Sequence, residues 1–288
     1  MRTSDSINGT TIIDRTKASA MLVVLALTAQ HAFSGPYEPA AGQPGSTAII
    51  WNDASIVAWA TGYQNYQVGA NVDATWQAPQ KTLGVAGNSN GSNQGFTYDI
   101  ASLGNNGQIT LTFAKPITDG PGADFLIFEN SFNDVFLELA WVEVSSDGVN
   151  FFRYPDISFT ASPVAGFGNV DPTNIDGYAG KYRGGYGAPF DLNVLENTPG
   201  LDIAAITHVK IIDIVGDGSA RDIYPAVVGG PHVIYDPHPT TGSAGLDLDA
   251  VGVIHEAAVE PPYMPPNGPF PLDGNYKGSS VVDRSDRR

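Results

Sequence analysis

Apolar residues along this chain occur in short runs that either alternate with polar residues or are apolar throughout. Gly, Asn, Asp and Pro bound these runs, and a sustained period of 3.6 residues is nearly absent. Short runs of this kind are typical of β-strands. We therefore predict strands at residues 48–51, 56–60, 109–113, 125–128, 137–144, 151–154, 208–215 and 250–254.

Two regions of the chain also predict which side chains face the core and where a hairpin turn lies. Strict alternation places Ile109, Leu111 and Phe113 on one face of a strand, so we expect all three to point into a core. The pair Asp147-Gly148 lies between two strand-like runs. This pair predicts a hairpin, because Gly adopts the positive φ that tight hairpin turns need.

Many short strands joined by turn-rich spacers predict an all-β fold, specifically a β-sandwich of jelly-roll type with long Gly/Asn-rich loops. Helix is expected only as one or two turns around 191–196 and 199–205. The spacer at 162–199 is long and rich in Gly, Asn and Tyr, and such loops are usually functional or ordered by metal. We predict one calcium-stabilised β-sandwich domain over 35–258 and a Pro-rich, disordered tail over 259–288.

Residues 1–34 are predicted to be a signal peptide. A mixed-charge stretch ending at Lys17 precedes the apolar run 21–27, which is too short to span a bilayer. Small residues at Ala32 and Ser34 fit the cleavage rule for such a leader. The protein is therefore predicted to be secreted or located at the cell surface, with no membrane insertion after cleavage.

The charge balance narrows the range of partners. The chain has 30 acidic and 14 basic side chains, a net charge of −16. Residues 1–34 hold two of the acidic and three of the basic ones, so 28 and 11 remain, a net charge of −17. Such a field repels phosphate backbones and anionic headgroups, which argues against nucleic acid and membrane surfaces as partners. The chain has no Cys, so its stability must come from its core, from metal or from both.

Six segments resemble a family of bacterial exported cell-surface proteins, many of which are sorted by a C-terminal exosortase signal. They are SIVAWA at 55–60, SLGNNGQITL at 102–111, GPGADFLIFEN at 120–130, VEVSSDG at 142–148, DPTNIDG at 171–177 and GLDLDAVGV at 245–253. The resemblance implies a secreted β-sandwich similar in architecture to calcium-containing carbohydrate-binding modules, with no established activity. A shared fold does not determine a shared function.

Acidic and amide side chains around two predicted strands suggest a calcium site. Calcium takes six to eight oxygen ligands from carboxylates, amides and backbone carbonyls. Asp124, Glu129 and Asn130 flank one strand, and Asp247 and Asp249 alternate on a later one, where they are expected to share a face. Two carboxylates on one face of an apolar strand repel each other unless a cation lies between them.

A looser candidate for calcium is formed by Asp171, Asn174 and Asp176. The alternative for both acidic groups is that they cap turns by accepting backbone N–H bonds. His232 and His238 lie in one turn-rich stretch, where they are interpreted as solvated residues. A copper or zinc site is the alternative, but their spacing does not indicate one.

Aromatic residues crowd the Gly-rich loop and suggest a platform for sugar binding. Tyr178, Tyr182 and Tyr186 lie there together with Arg183. Flat rings offer a large apolar face, and nearby polar groups orient a ligand. Ordinary loop packing is the alternative for these rings.

The sequence therefore predicts a secreted or surface-associated, calcium-binding β-sandwich protein that binds an extracellular ligand, with glycan as the leading expectation. A glycan-acting hydrolase is the first alternative, because Glu129, Glu138 and Glu143 are available as acid and base. A structural matrix or surface-layer component assembled through calcium is the second. No catalytic residues are assigned, since the chain has no nucleophile elbow, paired-His zinc motif, phosphate loop or dinucleotide fingerprint.

Overall fold

The computed structural model describes residues 35–87, 98–225 and 229–258. The predicted signal peptide at 1–34 and the tail at 259–288 lie outside the described residues. In the described part the strands are β1 (Ile49–Ile50), β2 (Ala58–Trp59), β3 (Gly62–Gln67), β4 (Ala101–Ser102), β5 (Gln108–Ile117), β6 (Phe125–Glu129), β7 (Ala140–Ser145), β8 (Phe152–Arg153), β9 (Ile157–Ser158), β10 (Ile175–Asp176), β11 (Tyr186–Phe190), β12 (Ile206–Asp213), β13 (Asp217–Arg221), β14 (Val233–Tyr235) and β15 (Asp247–Val253).

These strands form two larger antiparallel sheets. The first has the order β1-β11-β6-β15-β2, and β4 pairs with the start of β15. The second has the order β3-β5-β12-β7-β8. Two further pairs, β9 with β10 and β13 with β14, are separate antiparallel ribbons. The all-β prediction is confirmed, and the jelly-roll connectivity stays a prediction.

One apolar cluster joins the two larger sheets. Alternate residues of β5, including Ile109 and Leu111, contribute to it from the second sheet. Phe125 and Ile127 of β6 and Val251 of β15 contribute to it from the first sheet. Phe125 also stacks on Phe190 of β11 with ring centroids 5.2 Å apart. Burial of these side chains is the main stabilising contribution to the fold.

All eight predicted strands overlap observed strands. Helix in the described residues is limited to four short 3-10 segments: Ala74–Trp76, Pro79–Thr82, Pro172–Asn174 and Leu192–Leu195. The last of these confirms the turn predicted at 191–196. The helix predicted at 199–205 is wrong, because these described residues form turns in which Gly200 has a φ of +90°. No helix in the described part of the chain is long and apolar enough to cross a membrane.

Candidate functional site

Two strand ends place carboxyl groups at one edge of the first sheet. Glu129 is the last residue of β6, and its register partner on β15 is Leu248, next to Asp247. The backbone N–H of Asn130 donates to the carbonyl of Asp247 at 3.1 Å. Glu138 reaches the same place from the loop just before β7. Antiparallel pairing therefore brings together three acids that are far apart in the sequence.

These acids form the floor of a cavity of about 260 Å³. Its other lining residues include Asn130, Ser131 and the polar stretch around Thr240 and Ser243, and none of the lining residues that the structure describes is Lys, Arg or His. Glu129 is 3% exposed and Glu138 is 4% exposed. Among the described residues, no cationic side chain lines the confined space that these carboxyl groups share.

Each carboxyl group of the floor has a different set of hydrogen-bond donors. Glu129 Oε2 accepts from the backbone N–H of Ser131 at 2.6 Å. Asp247 accepts from the hydroxyl groups of Ser102 and Ser243. Glu138 accepts from the Thr240 hydroxyl, but its Oε1 is buried and has no hydrogen-bond partner in the described part of the chain. A buried polar oxygen without a partner is uncommon in folded proteins and indicates a place for a ligand or water.

Burial changes the proton affinity of all three groups. Burial, together with the negative charge of Asp247, raises the pKa of Glu129 well above its ordinary value. Burial and the charges of Asp247, Glu129 and Asp236 raise the pKa of Glu138 in the same way. Burial raises the pKa of Asp247 to about 7, against the opposing effect of its serine hydrogen bonds. All three carboxyl groups of the floor therefore hold their protons more tightly than they would in water.

Aromatic rings form two walls above this floor. In one group of lining rings Trp76 and Tyr98 stack with their centroids 6.0 Å apart. In the other group Phe136 stacks on Phe132 at 4.7 Å and on Phe167 at 5.8 Å. Tyr98, Phe132 and Phe167 are 63%, 53% and 85% exposed. Rings this exposed are costly to leave in water and typically mark a binding surface. We call this site the aromatic-walled pocket.

The structure separates Asp247 from Asp249, which were expected to share a face. A register shift between Leu248 and Ala250 interrupts the alternation of β15. As a result both oxygens of Asp249 accept from the backbone N–H of Gly87 at 2.8 Å, whereas Asp247 binds Ser102 in the pocket. The prediction that Asp247 and Asp249 share a cation is therefore wrong, because the two carboxyl groups lie in separate environments.

Among the described residues, a different group brings three acids close enough for one cation. One carboxylate oxygen each of Asp119, Asp124 and Asp191 lies within 4.8 Å of the others. Ligands of one calcium ion cannot lie more than about 5 Å apart, given calcium–oxygen distances of 2.3–2.6 Å. The carboxyl groups of the pocket floor do not form such a triple. This geometry does not support Glu129, Asn130 and Asp247 as ligands of one calcium ion. Of the residues predicted to bind calcium around these strands, Asp124 remains a candidate ligand.

Asp124 is also tied into the fold by its own hydrogen bonds. Its carboxylate accepts from the backbone N–H groups of Gly120 at 2.8 Å and Leu192 at 2.7 Å, and it contacts His255 Nδ1 at 2.7 Å. Burial nevertheless raises its pKa above the ordinary value. Asp119 Oδ1, in contrast, is buried without a hydrogen-bond partner. This free oxygen fits a metal ligand better than a turn cap.

The second predicted calcium group, Asp171, Asn174 and Asp176, is engaged in hydrogen bonds and an ion pair within the protein. Asp171 caps the 3-10 segment Pro172–Asn174 by accepting from Thr173 N at 2.9 Å. The backbone carbonyl of Asn174 accepts from Phe159 N at 2.8 Å. Asp176 forms an ion pair with Lys181 at 3.2 Å. These contacts support the turn-capping and pairing alternative for this group.

The predicted sugar platform on the Gly-rich loop needs correction. Tyr178 and Tyr182 are 1% and 2% exposed and pack in the apolar clusters, because β10 and β11 fold their segment into the domain. Arg183 lies 4.7 Å from the ring centre of Tyr186 and pairs with Asp134. Buried rings cannot present a face to a glycan on an exposed surface.

A larger cavity of about 540 Å³ lies beside Tyr178 and Tyr182. Its buried cation, Lys181, is already neutralised by Glu38 at 2.9 Å and by Asp176. The aromatic-walled pocket, although smaller, is the one that combines exposed rings with an unpartnered buried carboxyl oxygen. We therefore take it as the candidate functional site.

Sequence reasoning missed the walls of this pocket. Trp76 ends a 3-10 segment, Tyr98, Phe132 and Phe167 come from separate loops, and no local periodicity connects the four. A usable signal was the presence of large aromatic residues within polar, turn-rich stretches, such as the segment 130–136. Such residues have no neighbouring strand pattern to bury them, so exposure in a binding site is a physical explanation for them.

The fold and the site define an all-β protein with two antiparallel sheets and an acidic, aromatic-walled pocket at a sheet edge. No protein-family model matches the chain, and neither a curated protein nor a solved structure matches it. The pocket itself is therefore the basis for assigning a function.

Proposed function

We propose that this protein binds a carbohydrate in the aromatic-walled pocket. The observation that carries this proposal is the set of exposed, stacked rings above buried carboxyl groups. The C–H faces of a sugar ring pack on aromatic faces, and its hydroxyl groups donate to carboxyl oxygens. Glu138 Oε1, buried without a partner, supplies a matching acceptor or, when protonated, donor.

The size and charge of the pocket support a small neutral glycan unit. A cavity of about 260 Å³ is slightly below the 300–1,000 Å³ typical of ligand pockets, which fits one sugar ring with its neighbours extending outward. A floor of acids, together with described lining residues that include no basic side chain, disfavours phosphate and other anions. The ligand is proposed to be extracellular, in keeping with the predicted signal peptide.

We also propose that calcium binds at Asp119, Asp124 and Asp191 and stabilises the first sheet. These residues would supply three of the six to eight oxygen ligands, with backbone carbonyls and water as the remainder. The bound ion would neutralise three clustered carboxylates. It would also hold the start of β6 against the end of β11, where Asp124 N donates to Phe190 O at 2.8 Å.

Isothermal titration calorimetry with a panel of neutral mono- and oligosaccharides tests carbohydrate binding. Phe167→Ala removes an exposed wall ring, and Phe159→Ala serves as the matched control because Phe159 is an exposed ring outside the pocket. We expect binding by the wild type and by the control and weaker binding by Phe167→Ala. Equal affinities of the two variants for the same sugar would contradict the location of the site.

A further inference from the structure

Glu138 has a feature that sugar binding alone does not require, a buried carboxyl oxygen without a partner among the described residues. Its side chain is 4% exposed, lines the cavity and leaves Oε1 without any hydrogen-bond partner. Thr240 donates to the carboxyl group, so the side chain is held in place. A fixed carboxylic acid with one free oxygen in a ligand cavity has the geometry to share a proton with a bound molecule.

Asp247 lies on the same floor in a different environment. The hydroxyl groups of Ser102 and Ser243 both donate to it, which favours the ionised form. Burial raises the pKa of Asp247 to about 7, whereas several neighbouring charges add to burial in raising that of Glu138. Two carboxyl groups of one site that differ in their hydrogen-bond donors and in the charges around them can serve as an acid and a base.

Glu129 has a supporting position. Its carboxylate accepts from the backbone N–H of Ser131 at 2.6 Å and from further backbone N–H groups, which fix it to the end of β6. Its negative charge, when present, is one of the causes that raise the pKa of Glu138, after burial and Asp247. We regard Glu129 as a positioning residue.

We propose that the pocket hydrolyses a glycosidic bond, with Glu138 as the general acid and Asp247 as the general base. This inference rests on the proposed carbohydrate binding, and it extends the function from binding to catalysis. Paired carboxylic residues flanking the scissile bond are the chemistry that most glycoside hydrolases use. The exposed aromatic walls would hold the sugar rings on either side of that bond.

The reaction requires only solvent water as a second reactant. The bond between the anomeric carbon and the glycosidic oxygen breaks while Glu138 transfers its proton to that oxygen. Water bonds to the anomeric carbon, and Asp247 removes a proton from the water. Glu138 is then ionised and Asp247 protonated, and exchange with solvent restores both groups.

Hydrolysis of aryl glycosides by the full chain tests this inference. The probes are 2,4-dinitrophenyl and phenyl glycosides of common neutral sugars, and calorimetry with the parent sugars follows binding in parallel. The variants are Glu138→Gln and Asp247→Asn. The matched control is Asp249→Asn, which changes a buried aspartate two residues along β15 but outside the pocket.

We expect the wild type and Asp249→Asn to release both phenols. Glu138→Gln should lose about 10²–10⁴-fold of its rate on the phenyl glycoside, the contribution typical of a positioned acid. It should lose far less on the 2,4-dinitrophenyl glycoside, whose leaving group does not need the proton. Asp247→Asn should slow both substrates to a similar extent, so the base role is tested even if Glu138→Gln does not fold.

The other outcomes are distinct. Sugar binding without hydrolysis by the wild type overturns the catalytic inference and leaves the proposed binding intact. Neither binding nor hydrolysis overturns both proposals. An equal loss on the two leaving groups in folded Glu138→Gln overturns the acid role, and unchanged rates in Asp247→Asn overturn the base role.

Discussion

The backbone N–H of Asn130 donates to the carbonyl of Asp247 at 3.1 Å, one residue beyond the end of β6. This bond continues the pairing of β6 with β15 and holds the carboxyl groups of Glu129 and Asp247 at the same edge of the sheet. Two of the three acids of the pocket floor, Glu129 and Asp247, are therefore fixed to paired strands. A site fixed to paired strands is held more rigidly than one carried by loops alone.

The aromatic walls of the pocket, in contrast, lie outside the β-strands. The first prediction therefore concerns a wall residue. Removing the ring in Phe167→Ala should weaken sugar binding by about 2–10-fold, since aromatic contacts contribute about 0.5–1.5 kcal/mol each. Because Phe167 is 85% exposed, the change should leave the free energy of unfolding nearly unchanged. Calorimetry measures the first quantity and urea denaturation the second. A large loss of stability would show that Phe167 supports the fold instead.

A second prediction concerns calcium. Adding calcium at 100 times its dissociation constant should stabilise the native state by about 2.7 kcal/mol, a rise in Tm of several degrees. Asp119→Asn should abolish most of this rise, because it removes the carboxylate whose Oδ1 is buried and unpartnered. Asp53→Asn, which changes an exposed turn aspartate that is not part of this group, should keep the rise. Thermal unfolding in calcium and in a chelator measures both, and an equal rise in the two variants would contradict the site.

A third prediction tests the hairpin between β7 and β8. Gly148 has a φ of +73°, and a Cβ there would lie 2.7 Å from the His208 ring. Gly122 has a φ of +83° with open space around it. Gly122→Ala should therefore cost about 1 kcal/mol from backbone strain alone, and Gly148→Ala should cost more because of the added clash. Urea denaturation compares them, and equal costs would show that the His208 ring moves aside freely.

The strands were predictable from sequence because the core between the sheets imposes a simple pattern. Ile109 and Leu111 alternate with threonines as expected and are fully buried. Strand β11 was missed because its residues Gly187 and Pro189 dilute that pattern. Pro189 is tolerated there because β1 pairs only with Tyr186 and Gly187, which leaves this side of β11 open at the proline.

The candidate site was predictable only in part. Glu129, Asn130 and Asp247 were singled out together by their chemistry, and strand pairing does bring them together. Asp249 was placed with them because the bulge in β15 leaves no clear signal in the sequence. The wall residues depend on where long loops meet, which is a property of the tertiary structure. The resemblance to exported surface proteins and the signal peptide stay predictions.

The pH dependence of stability follows from the buried carboxyl groups. Burial raises the pKa of Asp156 to about 6 and the pKa values of Asp213, Asp247 and Asp249 to about 7. In the unfolded chain these groups release their protons near pH 4. Between about pH 4 and 7 the native state thus binds more protons than the unfolded state. Their stabilising contribution is complete below pH 4 and is lost as the pH rises toward 7.

Carboxyl groups whose pKa is lowered in the native state affect stability in a different pH range. Hydrogen bonds from Ser55 lower the pKa of Asp53, and hydrogen bonds from Asn150 and Val149 lower the pKa of Asp147. Their contribution is present above about pH 4 and is lost as the pH falls below it. Between pH 4.5 and 7.5 the buried acids therefore determine how stability depends on pH. The free energy of unfolding should fall as the pH rises across this range.

Asp249→Asn isolates one of these buried groups. Both oxygens of Asp249 accept from Gly87 N, so the asparagine oxygen keeps that hydrogen bond while the titrating group is removed. The slope of the free energy of unfolding against pH should become shallower by up to about 1.4 kcal/mol per pH unit, the value for one proton. Asp147→Asn, which removes an exposed and already ionised group, should keep the wild-type slope. Urea denaturation in a chelator at pH 4.5, 5.5, 6.5 and 7.5 gives these slopes, and a wild-type stability that stays constant or rises across that range would refute the protonated state of the buried acids.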